Sequence, residues 1–178
     1  MSPSAREFEG MLTGGHPNSL GRTVEVVEAV LATPQRFDDL FECYRSNDEV
    51  VRLRVSSAMK RVEARNPELL VPFIDRFIAE IGELDQASAQ WTLAQLFERL
   101  RPRMQEPQRK AAFNLMKRNL EHHQDWIVLN HTMQTIYEWL DEFHGARNWF
   151  VEQLRRLTED ERKTVSARAT KLLKIMDK

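Results

Sequence analysis

The chain has 178 residues and is nearly neutral, with 26 lysines and arginines against 27 aspartates and glutamates. Hydrophobic residues make up 42% and charged residues 30%, a balance that is too apolar for a disordered chain and typical of a folded protein. No apolar run approaches the roughly 18 residues of a membrane span, and the N-terminus lacks the apolar stretch of a signal peptide. The single cysteine, Cys43, excludes an internal disulfide and a cysteine-based zinc site. We therefore expect a soluble cytoplasmic protein.

Glycine is concentrated at the start of the chain. Four of the six glycines precede Arg22, and residues 13–21 have the sequence TGGHPNSLG, which is typical of a loop. We expect residues 2–12 to form at most a loosely attached helix and residues 1–21 to be a flexible segment. Residues 22–178 are expected to form a single domain.

After this segment, the long stretches of the chain place apolar residues three and four positions apart, and none alternates with period two. This spacing predicts an all-α fold without strands. Helix starts and ends are indicated by Pro34, Pro67, Gly82 and Gly145, and a capping box of Thr158 with Glu161 indicates the start of the last helix. The predicted helices cover residues 22–32, 34–45, 49–65, 68–82, 86–100, 106–121, 126–143, 146–157 and 159–176.

Four of these helices align with one another. The blocks start at residues 51, 89, 129 and 165, which gives offsets of 38, 40 and 36 residues, and they share apolar positions. An aspartate precedes each block, where its side chain can cap the helix and interact with the positive N-terminal end. We therefore expect structural helix caps at Asp48, Asp85, Asp125 and Asp160.

A helix pair every 36 to 40 residues, with an aspartate at the internal turn, resembles the HEAT-repeat family of armadillo-like α-solenoids. The resemblance covers about residues 34–176 and is best in residues 34–64, which contain Pro34, Asp48, Val51 and Arg52 of the family pattern. It implies a right-handed α-solenoid of about four helix pairs, with residues 22–32 as a leading half-repeat. The spacing is shorter than the roughly 40–47 residues typical of such repeats.

The sequence contains no pattern that predicts an enzyme, a metal site or a cofactor. His122 and His123 are adjacent, so on a helix their side chains point about 100° apart, whereas helical metal ligands recur one turn apart. Cys43 lies in an amphipathic run, as a structural thiol does. Residues 13–21 lack the glycine spacing of a phosphate-binding loop. We therefore expect a protein without catalytic activity, bound metal or cofactor.

Some HEAT-like solenoids are DNA alkylation-repair glycosylases, so the resemblance also implies nucleic-acid binding as an alternative function. The second helix of each pair usually lines the concave face of a solenoid. The net charges there are +4 for residues 52–65, +2 for 90–103, -4 for 125–144 and +5 for 162–178. Because a phosphate track needs continuous positive charge, this interruption weighs against nucleic acid as the partner. The catalytic residues of the glycosylases do not match positions in this chain.

One aligned column suggests a protein-binding surface. It holds Leu53, Trp91, His131 and Ala167 in successive repeats, and a tryptophan beside arginine and histidine is typical of protein interfaces. We predict a partner-binding column on the concave face that contains Arg52, Trp91, Gln95 and His131.

A structural interpretation of the same column stays open. Large aromatic residues usually bury most of their area, so Trp91 can instead pack between repeats while Arg52 pairs with Asp85 as a strut. The expected function is a protein-binding or scaffold module that uses the concave groove, binds a protein partner, has no membrane association and exists as a monomer or weak homodimer.

Overall fold

The computed structural model describes residues 1–16 and 18–177. This part of the chain forms ten α-helices joined by short 3₁₀ turns and loops and contains no strand, which confirms the all-α prediction. The helices are α1 (Pro3–Leu12), α2 (Thr23–Ala32), α3 (Phe37–Glu42), α4 (Glu49–Arg65), α5 (Ile74–Ala79), α6 (Ala87–Leu100), α7 (Glu106–His122), α8 (Trp126–Trp139), α9 (Arg147–Thr158) and α10 (Lys163–Met176). None of them is long and apolar enough to cross a bilayer.

Four predicted helices have wrong boundaries. The helices predicted over residues 34–45, 68–82, 126–143 and 159–176 are α-helical only over Phe37–Glu42, Ile74–Ala79, Trp126–Trp139 and Lys163–Met176. Only Ile74–Ala79 of the predicted helix over residues 68–82 is α-helical, because Pro67 and Pro72 lie in 3₁₀ turns before it. The last helix begins at Lys163 and not at residue 159. Thr158 forms no capping box there, since it ends α9 and its hydroxyl donates to the carbonyl of Arg155 at 2.7 Å.

The chain divides into two compact units, residues 1–92 and 93–178. In the first unit, α1 packs against α3 and α4, and α2 packs against α4. In the second unit, α7 packs against α8, and α10 packs against both α8 and α9. The prediction of a single domain over residues 22–178 stays a prediction.

Helix α1 is part of the core of the first unit. Ala5, Phe8 and Leu12 lie on one face and are fully buried. At the start of the helix, the hydroxyls of Ser2 and Ser4 donate to Asp39 of α3 at 2.9 and 2.7 Å. The expectation of a loosely attached helix therefore needs correction, because a short apolar stripe is enough to dock this segment despite the glycine-rich loop that follows it.

Each unit has its own aromatic cluster. In the first unit, Phe41 packs edge-on against Phe77 with ring centroids 5.0 Å apart, and the guanidinium of Arg76 lies 4.3 Å from the centroid of Phe41. In the second unit, Phe113 and Phe143 stack at 4.2 Å. Such pairs add to the stabilisation that buried apolar area already provides.

The four aspartates that precede the aligned helices differ in position. Asp48 and Asp125 lie directly before α4 and α8, and each carboxylate accepts from the backbone N–H two residues later at 2.8 Å, which is N-cap geometry. Asp85 lies one position too early, since Gln86 directly precedes α6. Asp160 also accepts from the N–H two residues later, that of Arg162, but α10 starts only at Lys163. Asp85 and Asp160 therefore lie in the loops before these helices and not at their N-cap positions.

A candidate binding crevice beside Trp91

The four residues of the predicted partner-binding column divide between the two units. Arg52 of α4 and Trp91 of α6 belong to the first unit, whereas Gln95 of α6 and His131 of α8 belong to the second. All four side chains are half-buried.

Arg52 connects the beginnings of two helices. Its Nε donates to the side-chain oxygen of Gln86, and its Nη1 donates to the carbonyl of Ser46 at 2.6 Å. The amide of Gln86 in turn donates to the carbonyl of Glu49 at 3.0 Å. Arg52 thus forms a strut, with Gln86 in place of the expected Asp85. Two of its nitrogens are therefore engaged inside the unit, which supports the structural interpretation of Arg52, and its place in a partner-binding surface stays a prediction.

Trp91 lines a crevice of about 230 Å³ in the first unit. The side chain is neither an exposed anchor nor a fully buried core residue, so it combines features of the two interpretations of the sequence. One wall comes from α4. A second wall, called the loop wall below, comes from the loop after α1. The described lining residues are Asn18, Ser19, Leu20, Leu53, Arg54, Ser56, Ser57, Lys60 and Trp91; this set is called the Trp91 crevice below.

Arg54 holds the loop wall in place. Its side chain is only 2% exposed, and a buried guanidinium requires acceptors for its N–H groups. The acceptors are backbone carbonyls of the last residue of α1 and of the loop. They accept from Arg54 at 2.5–3.1 Å and belong to Leu12, Gly14, His16 and Ser19.

Glycine conformations allow the loop to surround this guanidinium. Gly14, Gly15 and Gly21 have φ values of +74°, +72° and +52°, in the left-handed region that other residues rarely adopt. From the sequence, Arg54 is only one of the five basic residues at 52–65. The glycines predicted the loop, but no local signal indicated a basic residue more than 30 positions away as its anchor.

The electrostatics around the anchored loop involve Asp48. Its carboxylate accepts from the hydroxyl of Thr13 at 3.1 Å, and the bond from the N–H of Val50 is the main cause that lowers its pKa. The positive charge of Arg54 lowers this pKa further. The ionised carboxylate therefore stabilises both the start of α4 and the beginning of the loop.

The Trp91 crevice has a mixed apolar and polar lining. Its described lining residues offer an indole ring, an aliphatic side chain, hydroxyls and the ammonium of Lys60, and they include neither histidine nor a carboxylate. Ser56 shares a hydrogen bond of 3.1 Å with the hydroxyl of Tyr44, whose pKa is raised by burial. Ser56 is thus paired with a tyrosine hydroxyl and not with one of the bases that activate a serine nucleophile.

His122 and His123 lie at the junction between α7 and α8. Nδ1 of His123 accepts from the N–H of Asp125 at 3.0 Å, directly before the helix. His122 is exposed and lies 3.8 Å from Glu121. Among the described residues, no three side chains of the metal-ligating types form a cluster.

Several basic side chains of α4 are engaged within the first unit. On α4, Arg54 binds the loop, Arg52 binds Gln86, and Arg65 pairs with Glu28 of α2. The net +4 of residues 52–65 therefore overstates the charge that is available to a polyanion.

The acidic segment at residues 125–144 is neutralised in a similar way. Arg101 contacts Asp141 at 2.7 Å and Glu142 at 3.2 Å, and Arg109 contacts Glu142 at 2.7 Å. The hydrogen bond from Arg101 is the main cause that lowers the pKa of Asp141. The net -4 of this segment is thus smaller in effect than the residue count suggests.

A comparison of the chain with family models, with curated proteins and with solved structures finds no match.

Proposed function

We propose that this protein is a non-enzymatic protein-binding or scaffold module built from HEAT-like helix pairs. Hydrogen bonds between separate elements support the repeat, because many of them join residues about one repeat apart. In the first unit, Thr13 and Asp48 are 35 residues apart and Arg76 and Asp38 are 38 apart. In the second unit the separations include 40 for Arg101 with Asp141, and further examples are 36 for Arg156 with Leu120 and 34 for Arg168 with Gln134. In a solenoid each repeat contacts its neighbours, so such separations approximate the repeat length.

The helix contacts suggest how the pairs are composed. Helix α1 contacts α3 and α2 contacts α4, while α10 contacts α8 in the second unit. We assign the pairs α1/α2, α7/α8 and α9/α10 from the contacts between their members, and the pairs α3/α4 and α5/α6 from their order along the chain. In this assignment α1 completes the half-repeat at residues 22–32 and gives five helix pairs in place of four and a half.

The observation that carries the function is the Trp91 crevice. Small-molecule sites typically enclose about 300–1,000 Å³, and this crevice has about 230 Å³. Its size suits one or two side chains of a partner protein. Tryptophan is enriched among the residues that dominate binding energy, and Leu53 and Lys60 of α4 add an apolar and a cationic side chain to the lining.

Nucleic-acid binding has weaker support. Arg52 and Arg54 have partners within the first unit, so α4 contributes fewer available cations than its sequence suggests. The Trp91 crevice also contains too few basic groups to follow a phosphate backbone, whose binding depends on many such contacts.

Trp91→Ala tests the proposal, and Trp126→Ala is its matched control. Trp126 is the first residue of α8 and is 46% exposed, so its removal deletes the same side chain from a different surface. Partners are captured with the tagged full chain and identified by mass spectrometry, and the affinity of each is then measured for both variants. Because a hot-spot tryptophan contributes about 2 kcal/mol, we expect Trp91→Ala to weaken binding about 30-fold and Trp126→Ala to leave it unchanged.

A melting temperature separates a binding effect from a folding effect. If Trp91→Ala lowered the melting temperature strongly, Trp91 would be a core residue and would leave the candidate site. Leu53→Ser, which changes the α4 wall of the crevice, then provides a second test. Unchanged affinity in both Trp91→Ala and Leu53→Ser would refute the Trp91 crevice as the binding site.

A further inference from the structure

Helix α10 carries a second surface that is separate from the Trp91 crevice. Side chains along one face of this helix line an open groove of about 700 Å³ in the second unit. The lining residues are Thr158, Lys163, Ser166, Ala167, Thr170, Lys171, Lys174 and Ile175; this set is called the α10 groove below.

The α10 groove is positively charged and not neutralised from within. Lys163, Lys171 and Lys174 are exposed, and none of the three forms an ion pair within the described residues. The described lining residues include no carboxylate. Arg162, directly before α10, differs from them because Asp160 binds it at 2.6 Å. The three unpaired ammonium groups therefore create a local potential that favours an anionic partner.

The shape of the groove suits a helix. Its α10 residues recur at intervals of three and four, which places them on one helical face. Lys163 and Lys174 are separated by about 17 Å along the axis. Between them lie the small side chains of Ser166, Ala167 and Thr170, which allow a second helix to approach closely.

The α10 groove also contains a hydroxyl that is already hydrogen-bonded and an exposed apolar side chain. The hydroxyl of Thr170 donates to the carbonyl of Ser166 at 2.8 Å, so its hydrogen is satisfied inside α10. Ile175 is 41% exposed beside Lys171 and Lys174. An occupant can therefore bury apolar side chains against Ala167 and Ile175 while its charges meet the lysines.

We propose that the α10 groove binds an acidic amphipathic helix of a partner protein. Carboxylates of the partner face the lysines at the two ends of the groove, and its apolar side chains cover Ala167 and Ile175. A nucleic acid would leave this apolar strip unused, and the lining offers neither the arginines nor the aromatic rings that hold bases and phosphates. Three lysine–phosphate contacts would also give only weak, salt-sensitive binding.

The test uses two fluorescein-labelled peptides of 18 residues. In the first, glutamate and leucine lie on one face of an alanine-based helix; in the second, the same residues are scrambled around the helix. Fluorescence anisotropy with the full chain at about 0.15 M salt measures binding. We expect the first peptide to bind at least about tenfold more tightly than the second, because only the first presents both charge and apolar area on one face.

Two charge-reversal variants provide the comparison. Lys163→Glu, Lys171→Glu and Lys174→Glu together should weaken the amphipathic peptide at least about tenfold and allow a lysine-for-glutamate version of the peptide to bind instead. Arg6→Glu, Arg61→Glu and Lys110→Glu together change the net charge equally at exposed residues outside the groove. This control should retain binding within about twofold, and far-UV circular dichroism should show that both proteins remain helical.

Ile175→Ser distinguishes a helix from a general polyanion. It should weaken the amphipathic peptide and leave binding of a 20-nucleotide single-stranded DNA unchanged. The proposal is overturned if the scrambled peptide binds equally well, if both triple variants lose binding equally, or if the DNA binds more tightly and depends on the three lysines. It is also overturned if sedimentation shows that the lysines mediate association of two copies of the chain.

Discussion

At Gly21, an added Cβ would lie 3.0 Å from the Cζ and Nη1 atoms of Arg54, and the backbone φ is +52°. Gly21→Ala should therefore cost at least about 1–2 kcal/mol, since the left-handed conformation is unfavourable for alanine and the buried guanidinium has to move. Gly10→Ala is the matched control, because Gly10 lies in α1 and no atom would contact its new Cβ within 4 Å. This change should stabilise the protein by about 0.5–1 kcal/mol. Urea unfolding measures both, and equal effects would refute the packing of the loop against Arg54.

A second residue effect depends on pH. Burial raises the pKa of Glu98 above its ordinary value of 4.5, and the carboxylate of Glu138 raises it further. A carboxyl whose folded pKa exceeds its unfolded pKa destabilises the fold once it ionises, and this penalty grows as the pH rises through both values. Glu98→Gln should therefore raise the melting temperature at about pH 7 and have little effect at about pH 4.

The control for this titration is Glu152→Gln, which changes an exposed glutamate of α9. Its effect on the melting temperature should be small and of similar size at both pH values. A pH-independent effect of Glu98→Gln, measured by differential scanning calorimetry, would show that the ionisation of Glu98 does not oppose folding.

At the scale of elements, α1 contributes to the stability of the first unit. Phe8 is fully buried, so Phe8→Ala should destabilise the protein by about 3–5 kcal/mol through the lost contacts and the cavity. Val24→Ala on α2 removes an apolar side chain that is 49% exposed and should change stability by less than about 0.5 kcal/mol. Chemical denaturation measures both variants. If Phe8→Ala cost as little as the control, residues 1–21 would behave as the flexible segment that the sequence predicted.

The helices from residue 22 onward could be predicted because each has an apolar stripe at intervals of three and four. Packing decides the features that this spacing does not describe. The docking of α1 depends on Ala5, Phe8 and Leu12, and the glycines beside it outweighed these three residues in the sequence interpretation. The break before α5 follows from Pro72, which lies inside the helix predicted over residues 68–82.

The candidate site could be predicted only in part. Trp91 was identified from the aligned repeats, and it does line a crevice. The loop wall of the crevice was not predicted, because its position depends on hydrogen bonds from Arg54 to carbonyls 35 to 42 residues earlier in the chain. Arg52 was assigned to the partner surface from its place beside the aligned column. Its contact with Gln86 results from tertiary packing, which the sequence does not show.

At the scale of the whole molecule, the engaged arginines predict how the chain behaves toward duplex DNA. If mainly the three unpaired lysines of α10 contact phosphates, the logarithm of affinity should fall with the logarithm of salt with a slope of about -2.7. A rise from about 0.05 to 0.2 M salt should then reduce affinity about 40-fold. Fluorescence anisotropy of a labelled duplex measures this slope.

The triple lysine variant of α10 serves as the control for the duplex measurement, since it should abolish the remaining binding. Tight binding at physiological salt that depends on a DNA lesion would contradict the protein-binding proposal. Such a result would favour the alkylation-repair alternative that the sequence resemblance raised.

The contacts of Arg54 also determine how the first unit can open. One guanidinium serves four carbonyls, and these extend from the last residue of α1 to the loop wall of the Trp91 crevice. Withdrawal of this side chain leaves all four acceptors without their donor at once, so partially opened states gain little stability. The end of α1 and the crevice wall consequently form one cooperative opening unit. A partner that stabilises the wall also protects α1 against local unfolding.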